Sequence, residues 1–273
     1  MYVTLGRAAP APRSTEESPG PVRPMALDRI HDTTAREFRC TCRVYVTTLS
    51  GHSIGSGVLI GPRHVLTCAH VIFPLQDQLV KSITVHVAPN GPGAMGKGIA
   101  ANGWAVSPAW RRQDCRTMDE DVGVIRLSTA VTTAFWPVSA FDPRRLAGAA
   151  AELSGYPSRA HDRDAHFMYR SRGRIIGTIR IDACAGVQRP RSQLTRTLLR
   201  PIEDTTRLVA HALDSATSMS GGPLSSYIDG RRTLWGIHAG DIDNGARKKG
   251  ILLNSAVRAR IAAWMTREAT TAG

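Results

Sequence analysis

Three residues far apart in this chain have the types and settings that acyl-transfer chemistry demands. Ser220 lies in Ser218-Met219-Ser220-Gly221-Gly222-Pro223-Leu224. A serine hydroxyl is a weak nucleophile at neutral pH. It needs a base to take its proton, a third group to orient that base, and backbone N–H donors aimed at the developing oxyanion. Two glycines directly after the serine let the chain turn sharply and leave the side chain accessible, and the proline fixes the exit into a strand. His70 ends the run Val65-Leu66-Thr67-Cys68-Ala69-His70, where an apolar strand delivers an imidazole. Asp121 opens Asp121-Val122-Gly123-Val124-Ile125-Arg126-Leu127, a setting that buries a carboxylate. A buried carboxylate needs a partner, and an imidazole N–H supplies one. Each residue also has a plainer reading on its own: a Ser/Gly loop, a satisfied core histidine, and a strand-edge aspartate from Asp119-Glu120-Asp121.

The elements that must carry these residues are short and β-rich. Residues 42–48 read as a strand, 49–52 as a turn, 54–60 as a second strand ended by Gly61-Pro62, and 65–67 as a third. Similar runs follow at 82–88, 121–127, 150–154, 175–181, 208–213, 234–238 and 251–253. Strands this short and this regularly punctuated predict a sandwich or barrel, not a parallel sheet with crossover helices. One helix is expected, capped near Asn254-Ser255 and running to Met265, with its apolar positions packed onto the sheet. Residues 1–28, rich in Pro, Ala, Arg and Glu without periodicity, are expected to form a disordered leader or pro-segment.

Composition narrows the function classes. With 273 residues and 42% apolar content, the chain can build one large β domain or two small ones. No stretch approaches the roughly 18 consecutive apolar residues of a membrane helix. The N-terminus has no apolar core of a secretory signal, so the expected location is the cytoplasm. The net charge is +13, but Arg111-Arg112, Arg144-Arg145, Arg231-Arg232 and Lys248-Lys249 are scattered pairs, not one dense stripe. With only five Phe and five Tyr, that distribution argues against nucleic acid as the partner and for a generally cationic surface. The five cysteines, Cys40, Cys42, Cys68, Cys115 and Cys184, contain no CxxC pair and are expected as buried or half-buried thiols.

The order His, Asp, Ser resembles the trypsin/chymotrypsin superfamily. Thr67-Cys68-Ala69-His70 is similar to its TAAH motif, Asp121-Val122-Gly123-Val124-Ile125 to its DIALL motif, and Ser220-Gly221-Gly222-Pro223 to the second half of its GDSGGP motif. Gly155-Tyr156-Pro157 and Gly236-Ile237-His238 resemble the bacterial glutamyl-endopeptidase-like branch. The resemblance covers residues 38–265 and implies an all-β fold of two six-stranded antiparallel barrels with a C-terminal helix. Residues 29–136 would form the first barrel, with His70 and Asp121. Residues 137–273 would form the second, with Ser220 and the helix. It further implies a serine endopeptidase acting on polypeptides through a His70-Asp121-Ser220 triad and an acyl-enzyme on Ser220. The Ser218 and Ser220 N–H groups would form the oxyanion hole, and no metal or cofactor is required.

The chain departs from the family pattern at three positions. Ser218 stands where relatives have Gly, which raises a second expectation, a protease-fold binding module with little catalysis. Met219 replaces the Asp that pairs with a freed N-terminus in trypsin-like zymogens. Val71 replaces a cysteine that many relatives pair in a disulfide. Pocket residues point two ways. His238 and Ser215 match positions that favour an acidic residue before the cleaved bond. Asp214, six before Ser220, matches the aspartate with which trypsin-like enzymes bind Arg or Lys.

Overall fold

Alternation along the strands decides where the core lies. In the strand that begins at Thr41, Cys42, Val44 and Val46 are fully buried, and Val58, Val65, Leu66, Ile125 and Leu127 meet them from neighbouring strands. Each such side chain contributes about 1.5–3 kcal/mol by leaving water. The structure is a computed structural model that describes residues 26–74, 79–110, 114–131, 134–158, 165–181, 195–198, 202–242 and 247–266.

The chain enters through a two-residue strand, β1 (Asp28–Arg29). It then builds β2 (Thr41–Thr48), β3 (His52–Gly61), β4 (His64–Thr67), the single helical turn α1 (Ala69–Ile72), β5 (Val80–Val87), β6 (Ile99–Val106) and β7 (Gly123–Leu127). Strands β2 to β7 close into a barrel in the order β2-β3-β4-β7-β6-β5. Every pairing in it is antiparallel.

The second half builds β8 (Ala150–Gly155), β9 (Tyr169–Ile181), β10 (Thr195–Leu198), β11 (Leu208–His211), β12 (Pro223–Ile228), β13 (Arg231–Ile242) and β14 (Arg247–Leu252). The order β9-β11-β14-β13-β12-β8, with β8 pairing back to β9, closes a second antiparallel six-stranded barrel. Strands β1 and β10 are appended to β9. Trp235, Leu153, Val209, Leu224 and Leu252 fill this barrel's centre. Ile237, Ala239, Ile251 and Leu253 instead join the first barrel's cluster, so one apolar core runs across the interface.

The chain then returns to the first barrel. Helix α2 (Ser255–Thr266) starts where Asn254 Oδ1 accepts the Val257 N–H at 2.9 Å, and Asp204 Oδ1 accepts the Ser255 N–H at 2.9 Å. It buries Val257 and Ile261 against the first barrel's cluster. From the same helix Arg260 reaches Glu120, which also accepts from Ser107 Oγ (2.5 Å) and Arg207 Nη1 (2.5 Å).

The two barrels and the terminal helix agree with the sequence. Several element bounds differ. Strands β1, β6 and β10 were not expected, β12 was expected only as the exit from the Ser220 turn, β9 begins six residues before the expected run, and β13 continues four residues past His238. Asp28 and Arg29, expected at the end of the leader and the start of the first barrel, pair instead with Arg170 and Tyr169 of the second sheet. Cys40, Cys42 and Cys68 are buried free thiols. Residues 1–25, Arg111-Arg112 and Cys184 lie outside the described residues, as does the side chain of Cys115. No helix among the described residues is long and apolar enough to cross a membrane.

Glu120 joins the helix and strand β11 to the loop that ends in Asp121, so its loss should loosen all three. Glu120→Ala is expected to lower unfolding stability by about 2 kcal/mol, since it removes charge-assisted hydrogen bonds from a buried carboxylate. A urea midpoint comparison checks this, with Glu120→Gln expected to recover part of the loss.

Candidate active site

Strand β4 runs into the interface and ends in Thr67 and Cys68, and the turn α1 then presents His70 at the surface of the cleft. Asp121 lies two residues ahead of β7, the strand that pairs with β4, so the two side chains meet across neighbouring strands. His70 Nδ1 lies 2.6 Å from Asp121 Oδ2, and the His70 backbone N–H donates to Asp121 Oδ1 at 2.9 Å. Both carboxylate oxygens are thus engaged by one residue, which fixes the ring in position. Asp121 is 6% exposed. Burial pushes its carboxyl up, but the His70 charge and hydrogen bonds, helped by Lys249, outweigh it and hold the group below the usual range. Asp121 is therefore ionised at neutral pH. A carboxylate on Nδ1 holds the ring proton there and leaves Nε2 as the basic nitrogen.

Ser220 comes from the second barrel, in the turn that leads into β12. Its carbonyl accepts the Ser56 N–H at 2.8 Å, and the Gly221 N–H donates to the His238 carbonyl at 2.8 Å, so the main chain is fastened on both sides. Gly221 has φ +84°, and a Cβ there would meet the Ser56 carbonyl oxygen and Thr67 Oγ1 at 2.2 Å each. Only glycine fits, because the Ser220 turn lies directly against the strand that delivers His70. Cys68 closes the same contact by donating from Sγ to the His238 carbonyl at 3.2 Å. The structure thus brings the Ser220 turn to the His70 strand. The Ser220 hydroxyl itself makes no hydrogen bond among the described residues.

The expected oxyanion position has a specific conformation. Ser218 takes φ +73°, the left-handed region that a glycine would favour. The side chain that replaces the family's glycine does not keep the residue out of that region. Ser218 holds the glycine-like conformation, at a cost of about 1–3 kcal/mol. Ser56 offsets that strain by donating from Oγ to the Ser218 carbonyl at 2.8 Å. Neither the Ser218 nor the Ser220 N–H donates a hydrogen bond among the described residues.

The pocket candidates separate. Ser215 and His238 are buried, at 5% and 2% exposure. Asp214 is partly exposed and accepts the Ala26 N–H on Oδ2 at 2.8 Å. Behind His238 stands His211, fully buried and not singled out by sequence. The Leu213 N–H donates to His211 Nδ1 at 3.3 Å, so the proton of that ring sits on Nε2. His211 Nε2 lies 3.3 Å from His238 Nδ1. Two N–H groups cannot face each other, so His238 Nδ1 accepts and its own proton sits on Nε2, away from His211. Burial pushes His211 down to about 3, and burial with the neighbouring His211, Lys249, Lys248 and His70 pushes His238 well below its usual value. His238 is therefore a neutral imidazole with its N–H on Nε2.

Three further residues matter that sequence did not single out. Ser56 forms hydrogen bonds between the barrels, Thr67 ties its own strand to Ser56 within the first barrel, and Lys249 on β14 adds positive potential to Asp121, Cys68 and His238. A sequence signal existed for Ser56, since Gly55-Ser56-Gly57 inside a strand marks a close backbone approach. Cys68, His70 and Asp121 place ligand atoms within 4.8 Å of one another. Burial, then the Asp121 charge, raises the Cys68 thiol well above its usual value, and its proton is committed to a carbonyl. His70 and Asp121 are bonded to each other and Cys68 to a carbonyl outside the trio, so the thiol is held protonated rather than as a thiolate ligand.

Comparisons with known proteins agree with this architecture. The trypsin family's model matches residues 28–265, and the chain belongs to that family. It is a serine endopeptidase, a hydrolase of the trypsin-like class. A glutamyl endopeptidase solved in complex with MPD superposes with a TM-score of 0.67 at 17% identity, covering 89% of this chain and 98% of that one. A thermostable serine protease from an extremophilic microorganism gives 0.60 at 16% identity, with 84% and 98% covered. HL collagenase gives 0.64 at 14% identity, with 89% and 100% covered. No curated protein matches the sequence significantly.

The buried histidine pair makes stability pH-dependent. Both folded values lie below the ordinary histidine value of about 6.5, so the unfolded chain binds more protons as the pH falls. The stabilisation is fully present above that value and is lost as the pH falls from it towards the folded values, about 3 for His211. The urea midpoint is expected to fall between pH 7 and pH 5, and the His211→Gln/His238→Gln variant to show a shallower fall. His64 and His86, also lowered by burial, contribute equally in both proteins.

Proposed function

We propose that the chain hydrolyses peptide bonds through an acyl-enzyme on Ser220, with His70 as general base and acid and Asp121 as its orienting partner. The observation that carries this reading is the doubly bonded His70–Asp121 pair, set against a clamped Ser-Gly-Gly turn from the other barrel. Ser220 Oγ attacks the scissile carbonyl carbon while His70 Nε2 takes its proton. The Ser218 and Ser220 N–H groups receive the oxyanion. Collapse of the intermediate releases the amine, which takes the proton back from His70. Water then repeats the sequence on the ester and frees the acid. The ionised Asp121 stabilises the imidazolium in both halves.

An acidic residue, Glu before Asp, is the preferred side chain before the cleaved bond. The Nε2–H of His238 and the buried Ser215 hydroxyl supply donors, Lys249 supplies positive potential, and Asp214 is engaged by the Ala26 N–H. A neutral donor accepts a carboxylate without the cost of burying a second charge.

Ser220→Ala is expected to lower kcat by about 10⁴-fold or more with an unchanged thermal midpoint. Cleavage of a peptide library at the wild-type rate by this variant overturns the assignment. For the pocket, His238→Ala is expected to lower kcat/KM for a Glu-containing peptide by about 10²-fold relative to its Gln counterpart. An unchanged Glu-to-Gln ratio removes the acidic preference and leaves the nucleophile assignment intact.

A further inference from the structure

At the far end of β12 from the Ser220 turn lies a second cleft, of about 710 Å³, between the β12–β13 hairpin tip and the segment that joins the two barrels. Strand β12 runs from Pro223 to Ile228, so this tip is roughly 17 Å further along the sheet. The cleft volume lies within the range of binding sites of about 300–1,000 Å³. Its charge is one-sided. Arg36, Arg39, Arg231 and Arg232 line it against the single carboxylate of Glu37.

These arginines are not equivalent. Arg232 is committed, since it reaches Glu152 and lies 5.4 Å from the Trp136 ring, and it holds the cleft wall in place. Arg36, Arg39 and Arg231 form no ion pair among the described residues, and Arg39 Nε is buried with no hydrogen-bond partner. Arg36 and Arg231 are exposed, so their guanidinium groups are open to an acceptor arriving from outside. Beside them, Phe135 and Tyr227 are 42% and 75% exposed. Large exposed aromatics beside free guanidinium groups are the composition of a binding surface rather than of a solvated one.

We propose that this cleft is an exosite for acidic polypeptide segments that carry an apolar or aromatic side chain. Guanidinium groups pair bidentately with carboxylates, and the exposed rings cover the apolar residue. Glu37 in the wall favours a peptide over a polyphosphate, because its carboxylate can accept peptide N–H groups and a polyphosphate offers none. The cleft is also short, whereas a nucleic acid would need an extended stripe of cations. This assignment goes beyond the proteolytic site and stands whether or not Ser220 is the nucleophile.

The test uses the full chain carrying Ser220→Ala, so that no probe is cleaved. Fluorescence anisotropy follows a short labelled peptide, amidated at its C-terminus, with Asp residues flanking a central Trp. Arg36→Glu/Arg231→Glu is expected to weaken binding by tenfold or more, Tyr227→Ala by a smaller factor, and His238→Ala not at all. The matching Asn peptide is expected not to bind. Hydrogen exchange of residues 227–234 should slow on binding, which reads the site without any charge variant. Wild-type affinity in the double variant, equal loss in His238→Ala, or tighter binding of an oligothymidylate of the same length each overturn the proposal.

Discussion

Ser56 uses every polar atom it has at the junction of the two barrels. Its N–H donates to the Ser220 carbonyl at 2.8 Å and its Oγ to the Ser218 carbonyl at 2.8 Å. That Oγ also accepts the Tyr156 N–H at 2.9 Å, and its carbonyl accepts from Thr67 Oγ1 at 2.7 Å. A fully buried serine with four bonds of this kind leaves no slack. The turn from one barrel and the histidine strand from the other are thereby referred to a single residue. Gly55, Gly57, Gly155 and Gly221 surround it, and at Gly155 and Gly221 a Cβ would come within 3 Å of Ser56 itself. Catalysis by positioned groups tolerates errors of less than about 1 Å. A hydrogen-bonded bolt meets that tolerance better than apolar contact, which has no direction.

The electrostatics around this bolt fall into two zones. On the first-barrel side, Asp121 stays charged although buried, because His70 supplies both partners it needs. On the second-barrel side, His211 and His238 stay neutral because nothing opposite in charge stands near enough to repay their burial. The two zones are separated by Cys68, whose thiol bonds across to the His238 carbonyl. The cations Lys248 and Lys249 of the second barrel reinforce both states, since they disfavour a second positive charge on His238, and Lys249 also favours the Asp121 carboxylate.

Much of this was legible in the sequence because it rests on local pattern. The strand that precedes His70, the apolar run after Asp121 and the Ser-Gly-Gly-Pro turn each state their own geometry, and their order implied the rest by resemblance. The Asn254 cap was legible for the same reason, since a cap acts within three residues. Strand β6 was not, because Ile99-Ala-Ala-Asn-Gly-Trp-Ala-Val106 has one half-exposed face and little apolar contrast. The extent of strand β12 beyond its expected start at Pro223 was hidden by Ser225 and Ser226, which are buried and polar because they bond to Arg232 and Trp235. The His211–His238 contact joins residues 27 apart on strands that are not neighbours, so no local signal could carry it. The left-handed Ser218 shows the converse. A substitution that reads as disruptive kept its conformation because a distant hydroxyl holds it there.

Helix α2 gives the topology a temporal meaning. It is made after both barrels, yet it docks on the first and supplies Arg260 to the residue beside Asp121. During synthesis, the loop that carries Asp121 is finished early, and its bond to Arg260 forms only when residue 260 has left the ribosome. Chains interrupted between Ser220 and that point already hold Glu120 bonded to Ser107 and Arg207 but not to Arg260. Assembly order thus makes the final helix the last tie placed on that loop.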